Sequence, residues 1–517
     1  MSAKATLAGL VSGVLTALAF PHWSLWPLAW VGLVPLLWAL QGCQVRQAGM
    51  LGWMAGVAHF GILLYWLVGT MQVYGGLPVI MAVVVMLLLV IYLAMFWAMA
   101  AAVQALVTHK LGVPLLLSFP PVWTCAEKFR SVLLSGFPWA LLGYSQWEVE
   151  PLVQVADITG IYGIGLLLAL ANSSLAYMII QLSKGRGPGW RSLGAMGFCG
   201  ALVLGTWFYG QAKISEMDAL SREAPSLKVG IAQGNLEQSL KWDPAFQETT
   251  ISRYEAQTRQ LAQLGAQLVL WPETAMPFFF QREGPLRDRV LQLAPGLGVE
   301  LLFGSPAFGV QEGRRVFYNR AYLLGPDGRV LGSYDKMHLV PFGEYIPLQN
   351  LLPFVRQMVT AIGDFSPGKD PRPVRSFTGA KLGVSICFES IFPDIFRAEV
   401  MEGADLLANL TNDAWFGRSA APHQHLSMLA MRAIETRRWI VRAANTGISA
   451  VIDPCGRIVS RTELFEEAYI VDTVRRIEVD SFYTRNGDLF AWGCVIWSLG
   501  LLGAVFFSGG GRGNAIS

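Results

Sequence analysis

Three stretches in the second half of the chain each lead to a residue that can do acid–base or nucleophilic chemistry. Glu273 follows an apolar run at 268–271, Cys387 follows one at 383–386, and Lys336 ends a third stretch. If these runs are strands, their ends can meet at one edge of a sheet, where a thiol beside an ammonium loses its proton more easily. The pattern predicts that Cys387 is a nucleophile, with Glu273 as its base and Lys336 as the partner of a developing oxyanion.

Each of these residues also has an ordinary structural explanation when it is taken alone. A cysteine after an apolar strand is usually a small core residue. Glu273 could cap a helix that starts after Pro272, and Lys336 could be a surface ammonium. The nucleophile hypothesis therefore depends on the three residues acting together.

The segments around these residues have the patterns of an α/β domain. A strong helical pattern covers 423–441, and a hairpin-like segment at 447–458 has its turn at Asp453-Pro454-Cys455-Gly456. Alternating strands and helices indicate a layered α/β domain. Strands are predicted at 227–234, 266–271, 300–304, 320–324, 381–386 and 406–410.

Composition places the rest of the chain in a membrane. Hydrophobic residues make up 53% and charged residues only 15% of the 517 residues, which is too apolar for a soluble protein. We expect a polytopic helical membrane domain of about eight helices, because eight segments approach the roughly 20 residues that cross a bilayer. They lie at 5–20, 27–41, 50–70, 78–107, 160–182, 193–212 and 488–507, with a weaker one at 111–126.

These spans divide the chain into three parts. Residues 1–213 form a membrane domain of seven helices, 225–486 form the catalytic domain, and 487–517 contain the eighth helix and a tail. The first apolar stretch is interpreted as a retained helix and not as a cleaved signal peptide.

Basic residues in the short loops predict the orientation of these spans. The predicted outer short loops carry only Lys128 and Arg130, so the catalytic domain is expected outside the cytoplasm and the C-terminus inside. The predicted inner loops carry Lys4, Arg46, Lys110, Lys184, Arg186 and Arg191.

Charge and cysteine content argue against several other classes of protein. The net charge is only +3 and the basic residues are scattered, so no nucleic-acid partner is expected. Six dispersed cysteines without zinc-ligand spacing predict no metal site, and we expect no cofactor. His338, His423 and His425 are interpreted as structural, and Cys455 as a bystander.

Glu273, Lys336 and Cys387, in this order and context, resemble the Glu-Lys-Cys triad of the nitrilase superfamily. Nearly the whole chain resembles one branch of it, the apolipoprotein N-acyltransferase family. Phe388 departs from the pattern, since some relatives have a tyrosine there. The motifs are Gly234-Asn235, Lys241-Trp242, Trp271-Pro272-Glu273, Pro341-Phe342-Gly343-Glu344, Cys387-Phe388-Glu389 and Asn412-Asp413-Ala414-Trp415-Phe416, with Trp123, Glu127, Gly136-Phe137-Pro138-Trp139 and Gly143-Tyr144-Ser145-Gln146 in the membrane part.

This resemblance implies an αββα sandwich and a two-step acyl transfer in the bacterial inner membrane, with the catalytic domain facing the periplasm. A phospholipid would acylate Cys387, and the thioester would pass to the free α-amine of a diacylglyceryl-cysteine on an apolipoprotein. Glu344 and Glu389 would support the triad. The implied substrate-binding residues are Trp242, Phe388, Asn412 and Trp415.

Two other functions are compatible with parts of the sequence. A membrane-tethered nitrilase or amidase could use the same triad on a small amide, although the fused membrane domain and the apolar segment after Glu344 argue against it. A transporter or receptor with an inactive domain would need charges inside the spans, and the clear spans have almost none. The segment at 341–358 is predicted to be an apolar lid that dips into the outer leaflet, or alternatively a small buried core.

Overall fold

The computed structural model describes residues 2–187, 189–345 and 365–510. They form two compact units. The helical unit comprises Met1–Val68, Val79–Ile214 and Asn486–Ser517, and the sandwich unit comprises Gly69–Pro78 and Ser215–Arg485. The short segment Gly69–Pro78 therefore groups with the sandwich, which no pattern in the sequence predicted.

The helical unit consists mainly of long apolar helices. Among the described residues, four helices are long and apolar enough to cross a membrane, and the helix pair Val45–Leu63 and Trp66–Val73 forms a further candidate bent by 53°. The weak span predicted at 111–126 is a helix with Pro120 and Pro121 inside it, but it does not reach this standard. The expected total of eight spans stays a prediction. The helices up to the sandwich are α1 (Ala3–Leu18), α2 (Val34–Ala39), α3 (Val45–Leu63), α4 (Trp66–Val73), α5 (Val79–Leu111), α6 (Leu115–Val132), α7 (Glu150–Val153), α8 (Ala156–Thr159), α9 (Ile161–Ser183) and α10 (Trp190–Glu223).

The sandwich unit contains two six-stranded sheets. The first has the strand order β12-β1-β2-β3-β4-β5, and the second has the order β11-β10-β9-β8-β7-β6. The strands are β1 (Ser226–Gln233), β2 (Leu268–Leu270), β3 (Glu300–Gln311), β4 (Arg314–Leu324), β5 (Val330–Asp335), β6 (Val374–Arg375), β7 (Lys381–Ile386), β8 (Leu406–Thr411), β9 (Ile440–Ala444), β10 (Ala450–Ile452), β11 (Ile458–Arg461) and β12 (Ala468–Arg475).

Each sheet has parallel strands at its centre and antiparallel strands at its edges. β1, β2 and β3 are parallel, as are β7, β8 and β9. Such strands need helical crossovers. The sandwich helices are α11 (Pro244–Gln263), α12 (Pro285–Leu297), α13 (Pro393–Met401), α14 (Ala421–Thr436) and α15 (Phe482–Asn486), and α16 (Leu489–Gly510) follows in the helical unit.

Two apolar cores hold these layers together. One lies between the sheets, where Leu270 and Leu302 of the first sheet pack with Val384 and Leu410 of the second. The other lies between the first sheet and the helices α11 and α12. The result is the αββα sandwich that the family resemblance implied.

Two expectations from the sequence were wrong in extent, and a third lies largely outside the described residues. The helix predicted at 423–441 ends at Thr436, because Arg437 takes a left-handed conformation and the chain continues into the buried central strand β9. The predicted strands at 300–304 and 320–324 are the inner halves of a long hairpin that turns at Glu312-Gly313. Of the predicted lid at 341–358, residues 346–358 lie outside the described residues.

Candidate active site

The predicted chemical residues stand at the ends of three strands, but they come from both sheets. Glu273 follows β2 and Lys336 follows β5 in the first sheet, whereas Cys387 follows β7 in the second. The expectation of one shared sheet edge was therefore wrong. The two layers of the sandwich bring the thiol to the two charged groups.

Glu273 is placed by a tight turn, and the alternative in which it caps a helix was wrong. Thr274 has a φ of 48°, and the described residues from Glu273 to Gly284 contain no helix. The turn packs against Gly304 of β3, where a Cβ atom would come within 2.4 Å of the Thr274 nitrogen. Only glycine leaves room for the chain at this point.

Lys336 is a buried ammonium held by carboxylates. Its Nζ donates to Glu344 Oε1 at 2.9 Å and lies 3.7 Å from Glu273 Oε1. Burial lowers the pKa of Lys336, but Glu344 and Glu273 outweigh it and hold this pKa well above its usual range. The side chain therefore remains a cation at neutral pH.

Asn319 on β4 links the two carboxylates, and nothing in the sequence singled it out. Its Nδ2 donates to Glu273 Oε1 at 2.7 Å and to Glu344 Oε1 at 3.0 Å. Glu273 Oε2 is buried, and within the described ranges it has no hydrogen-bond partner. This oxygen can therefore accept a proton.

Cys387 begins a single 3-10 turn and has a φ of 54°. Burial and the charge of Glu273 together raise the pKa of its thiol to about 12, although Lys336 opposes this shift. The sequence predicted that the ammonium would ease deprotonation, but burial and the carboxylate outweigh it. At neutral pH the resting thiol is protonated, so it needs a base when it reacts.

Glu389 links the segment that contains Lys336, here called the lysine loop, to the turn that begins at Cys387, here called the cysteine turn. Its Oε1 accepts from the Tyr334 hydroxyl and from the main-chain N–H groups of Met337 and His338, at 2.6 to 2.9 Å. Its Oε2 accepts from the Ile386 N–H at 2.6 Å. Burial raises the pKa of Glu389 to about 7, although the N–H groups of His338 and Ile386 oppose this shift. One carboxyl thus joins the ends of β5 and β7.

His425 lies directly behind the nucleophile. Its Nε2 is 3.1 Å from the carbonyl oxygen of Cys387, and its Nδ1 is 3.1 Å from Asp413 Oδ1. Arg442 donates to Asp413 Oδ2 at 2.6 Å, and all three side chains are fully buried. These contacts fit the structural part that the sequence assigned to His425.

The four predicted substrate-binding residues have different surroundings. Asn412 is 2% exposed, and its amide group bonds to Gln238 and Asn445 within the protein. Phe388 packs edge-on against Phe392 with ring centroids 5.2 Å apart. Trp242 is 49% exposed and Trp415 is 37% exposed, so both could meet a substrate.

An aromatic groove opens near these residues. It is open to solvent and has a volume of about 630 Å³. Trp242 forms part of its wall and follows Lys241, whose ammonium donates to the main chain of Glu273. The other walls include Phe278, Phe279, Phe317, Phe365 and the basic Arg282. An apolar surface of this size suits an acyl chain better than a small polar amide.

The fold and the comparisons define the class of the sandwich unit. The sandwich unit is a carbon-nitrogen hydrolase domain, because the model of that family matches residues 228–483. An amidase from Nesterenkonia sp. AN1 has 22% sequence identity, a TM-score of 0.39, and covers 51% of this chain and 98% of its own.

The remainder of the chain identifies the family. Residues 12–174 match the model of the apolipoprotein N-acyltransferase N-terminal domain. The apolipoprotein N-acyltransferase of Geobacter metallireducens is 45% identical over 490 residues, which cover 95% of this chain and 93% of the relative. That of Methylococcus capsulatus is 34% identical and covers 97% of this chain and 96% of its own. The chain belongs to the apolipoprotein N-acyltransferase family and is a membrane-bound N-acyltransferase.

Proposed function

We propose that this enzyme transfers an acyl chain from a phospholipid to the free α-amine of the diacylglyceryl-cysteine of an apolipoprotein, through a thioester on Cys387. The observation that carries this proposal is the buried cluster in which Glu273 and Lys336 lie 3.7 Å apart and both act electrostatically on the Cys387 thiol. The proposed orientation places this cluster on the periplasmic side of the inner membrane.

In the first step, Glu273 Oε2 takes the proton of Cys387 as the sulfur attacks the ester carbonyl of the phospholipid. The carbonyl electrons move to oxygen, and the Lys336 ammonium stabilises the oxyanion. The intermediate then expels the lysophospholipid oxygen, which takes the proton from Glu273. The acyl chain remains on Cys387 as a thioester.

In the second step, the α-amine of the acceptor attacks the thioester carbonyl. Glu273 accepts the proton that the nitrogen loses, the carbon–sulfur bond breaks, and the Cys387 thiolate takes that proton back. The products are an amide on the lipoprotein and the free thiol. Both substrates use the same carboxyl and the same ammonium in turn.

The supporting residues hold Glu273, Lys336 and Cys387 in position for this reaction. Asn319 fixes Glu273 Oε1, while Oε2 has no hydrogen-bond partner among the described residues. Glu344 holds the lysine, and Glu389 holds the lysine loop against the cysteine turn. The aromatic groove with Arg282 supports a lipid substrate, because it offers an apolar wall and a cation that suits a phosphate.

Intact-mass analysis of the full chain in phospholipid vesicles tests this function. We expect an acyl adduct on Cys387 that hydroxylamine removes, and its transfer to a synthetic diacylglyceryl lipopeptide with a free α-amine. Cys387→Ala should show no adduct. Release of free fatty acid without N-acylated lipopeptide would instead indicate a hydrolase.

A further inference from the structure

A second buried lysine, Lys241, lies beside the candidate site. It is 2% exposed and sits in the loop between β1 and α11. Its Nζ donates to the main-chain carbonyl of Glu273 at 3.0 Å and to Thr274 Oγ1 at 3.2 Å. A buried ammonium is costly unless something compensates its charge.

The partners of Lys241 differ from those of Lys336. Lys336 has two carboxylates within 3.7 Å, whereas Lys241 donates to two neutral oxygens in the described part of the chain. Burial lowers the pKa of Lys241 to about 8, and the charges of Glu273 and Cys387 oppose this shift. Lys241 therefore titrates in a range where Lys336 does not.

The contacts of Lys241 fall on a strained piece of backbone. Thr274 has a φ of 48°, which is unfavourable for a residue other than glycine. The two oxygens that Lys241 binds flank this position, on Glu273 before it and on Thr274 itself. One ammonium thus fastens the turn that presents Glu273.

We propose that Lys241 is a positioning residue that fastens the Glu273 turn and supplies a second positive charge to the Cys387 thiol. This inference rests on the acyl transfer proposed above. The attraction between the Cys387 thiolate and the Lys241 ammonium stabilises both charged forms. A protonated Lys241 therefore lowers the free energy of the thiolate. When Lys241 loses its proton, this stabilisation of the Cys387 thiolate is lost.

The test compares Lys241→Met, Lys241→Arg and the exposed-lysine control Lys228→Met in the full chain. The alkylation rate of Cys387 by chloroacetamide is measured against pH in a background where the other cysteines are alanine. In the wild type, the rise of this rate with pH should flatten near pH 8, where Lys241 loses its proton. Lys228→Met should show the same inflection.

The two Lys241 variants should both lose the inflection but differ in rate. Lys241→Met should be alkylated about tenfold more slowly at pH 7, since removing a nearby cation raises the thiol pKa. Its thioester formation from phosphatidylethanolamine and phosphatidylglycerol vesicles should fall about tenfold or more. Lys241→Arg, which stays charged, should be alkylated at a rate close to that of the wild type at pH 7.

An unchanged alkylation profile in Lys241→Met would overturn the proposal, even if activity fell through lower stability. If that variant does not fold, Lys241→Gln keeps hydrogen-bond donors without charge and must lose the inflection in the same way. Failure of the proposed function is seen separately, as the absence of a thioester on Cys387 in the wild type.

Discussion

Among single residues, the proposed nucleophile combines an unfavourable backbone conformation with a protonated resting state. Cys387 has a φ of 54°, and its carbonyl oxygen lies against the buried His425. The surroundings must compensate for a strained non-glycine residue, and such strain is common at functional sites. With a pKa near 12 the thiol is protonated at neutral pH and must lose this proton to react, a step that the proposed function assigns to Glu273. The chemistry is therefore shared among several side chains.

The first prediction concerns the nucleophile. Cys387→Ala should abolish acyl transfer, and Cys387→Ser should keep less than about 1% of it, because this setting cannot provide an alkoxide at neutral pH. Transfer is measured as N-acylated lipopeptide by mass spectrometry. Cys455→Ala is a matched control, since Cys455 is also buried with a pKa raised to about 12. Activity above a few per cent in the alanine variant would refute the assignment.

The second prediction concerns the shape of the cation. Lys336→Arg should lower the rate of thioester formation by about 10² or more, because a planar guanidinium cannot replace a compact ammonium in a fully buried site. Lys381→Arg, at a partly exposed ion pair with Glu478, should leave the rate unchanged. If Lys336→Arg reacts as the wild type does, the lysine is only a distant charge.

At the element scale, the second sheet and α14 hold the cysteine turn through a buried polar network. Asp413 follows β8, Arg442 lies on β9 and His425 lies on α14. Arg442 and His425 keep the pKa of Asp413 well below its usual range although burial opposes them. Removing the Asp413 charge is costly, because the buried Arg442 cation then loses the charge that compensates it.

Asp413→Asn should lower the stability of the sandwich unit by about 3 to 5 kcal/mol. The expected fall in Tm is about 10 °C, measured by thermal unfolding in detergent. Asp370→Asn provides the control, since Asp370 is paired with Arg372 at the surface. If both substitutions shifted the Tm equally, Arg442 would not depend on Asp413 for its charge compensation.

A second buried carboxyl, Glu399 on α13, gives the same sheet a dependence on pH. Burial raises its pKa well above the usual range, and the charge of Glu389 adds to this effect. The stability that such a raised pKa contributes is present below the ordinary value of 4.5 and is lost as pH rises through the folded-state pKa. Glu399 therefore destabilises the folded state increasingly as the pH rises above 4.5.

Glu399→Gln should therefore raise the Tm relative to the wild type, and the difference should grow from pH 5 to pH 8. The expected gain at pH 8 is about 1 to 3 kcal/mol. Glu402→Gln, at an exposed position at the end of the same helix, should show no such trend. A difference that shrank with rising pH would contradict the assignment of a raised pKa.

At the scale of the whole molecule, the two basic residues assigned to outer loops prove to be internal. Lys128 pairs with Asp488, and Arg130 donates to the main-chain carbonyls of Phe137 and Trp139. All of these contacts lie within the helical unit. Because neither residue is an exposed loop charge, the bias of the remaining loop cations toward the predicted inner side becomes stronger.

This bias predicts the orientation of the chain in the membrane. An epitope inserted at the exposed Glu312-Gly313 turn should be digested by protease in spheroplasts, whereas an epitope after Ser517 should be protected. The reverse pattern would place the sandwich in the cytoplasm. Inside-out vesicles provide the control. In them the epitope after Ser517 should be digested and the epitope at the Glu312-Gly313 turn should be protected.

The amino-acid sequence was enough to identify the family and to predict the chemistry. Glu273, Lys336 and Cys387 could be chosen because an ionisable residue after an apolar run is visible locally, and the surrounding motifs carry the resemblance to the family. The apolar runs also indicated a membrane protein, since hydropathy depends on composition alone. All of these properties can be identified without knowing which segments meet.

Features that depend on contacts between distant segments became visible only in the folded chain. It placed the thiol and its partners on different sheets, brought Asn319 and Lys241 to Glu273, and made Glu389 the link between two loops. It also reversed the expected shift of the Cys387 pKa, because a pKa sums burial and every nearby charge. The burial of a group and the charges near it cannot be read from the spacing of residues along the chain.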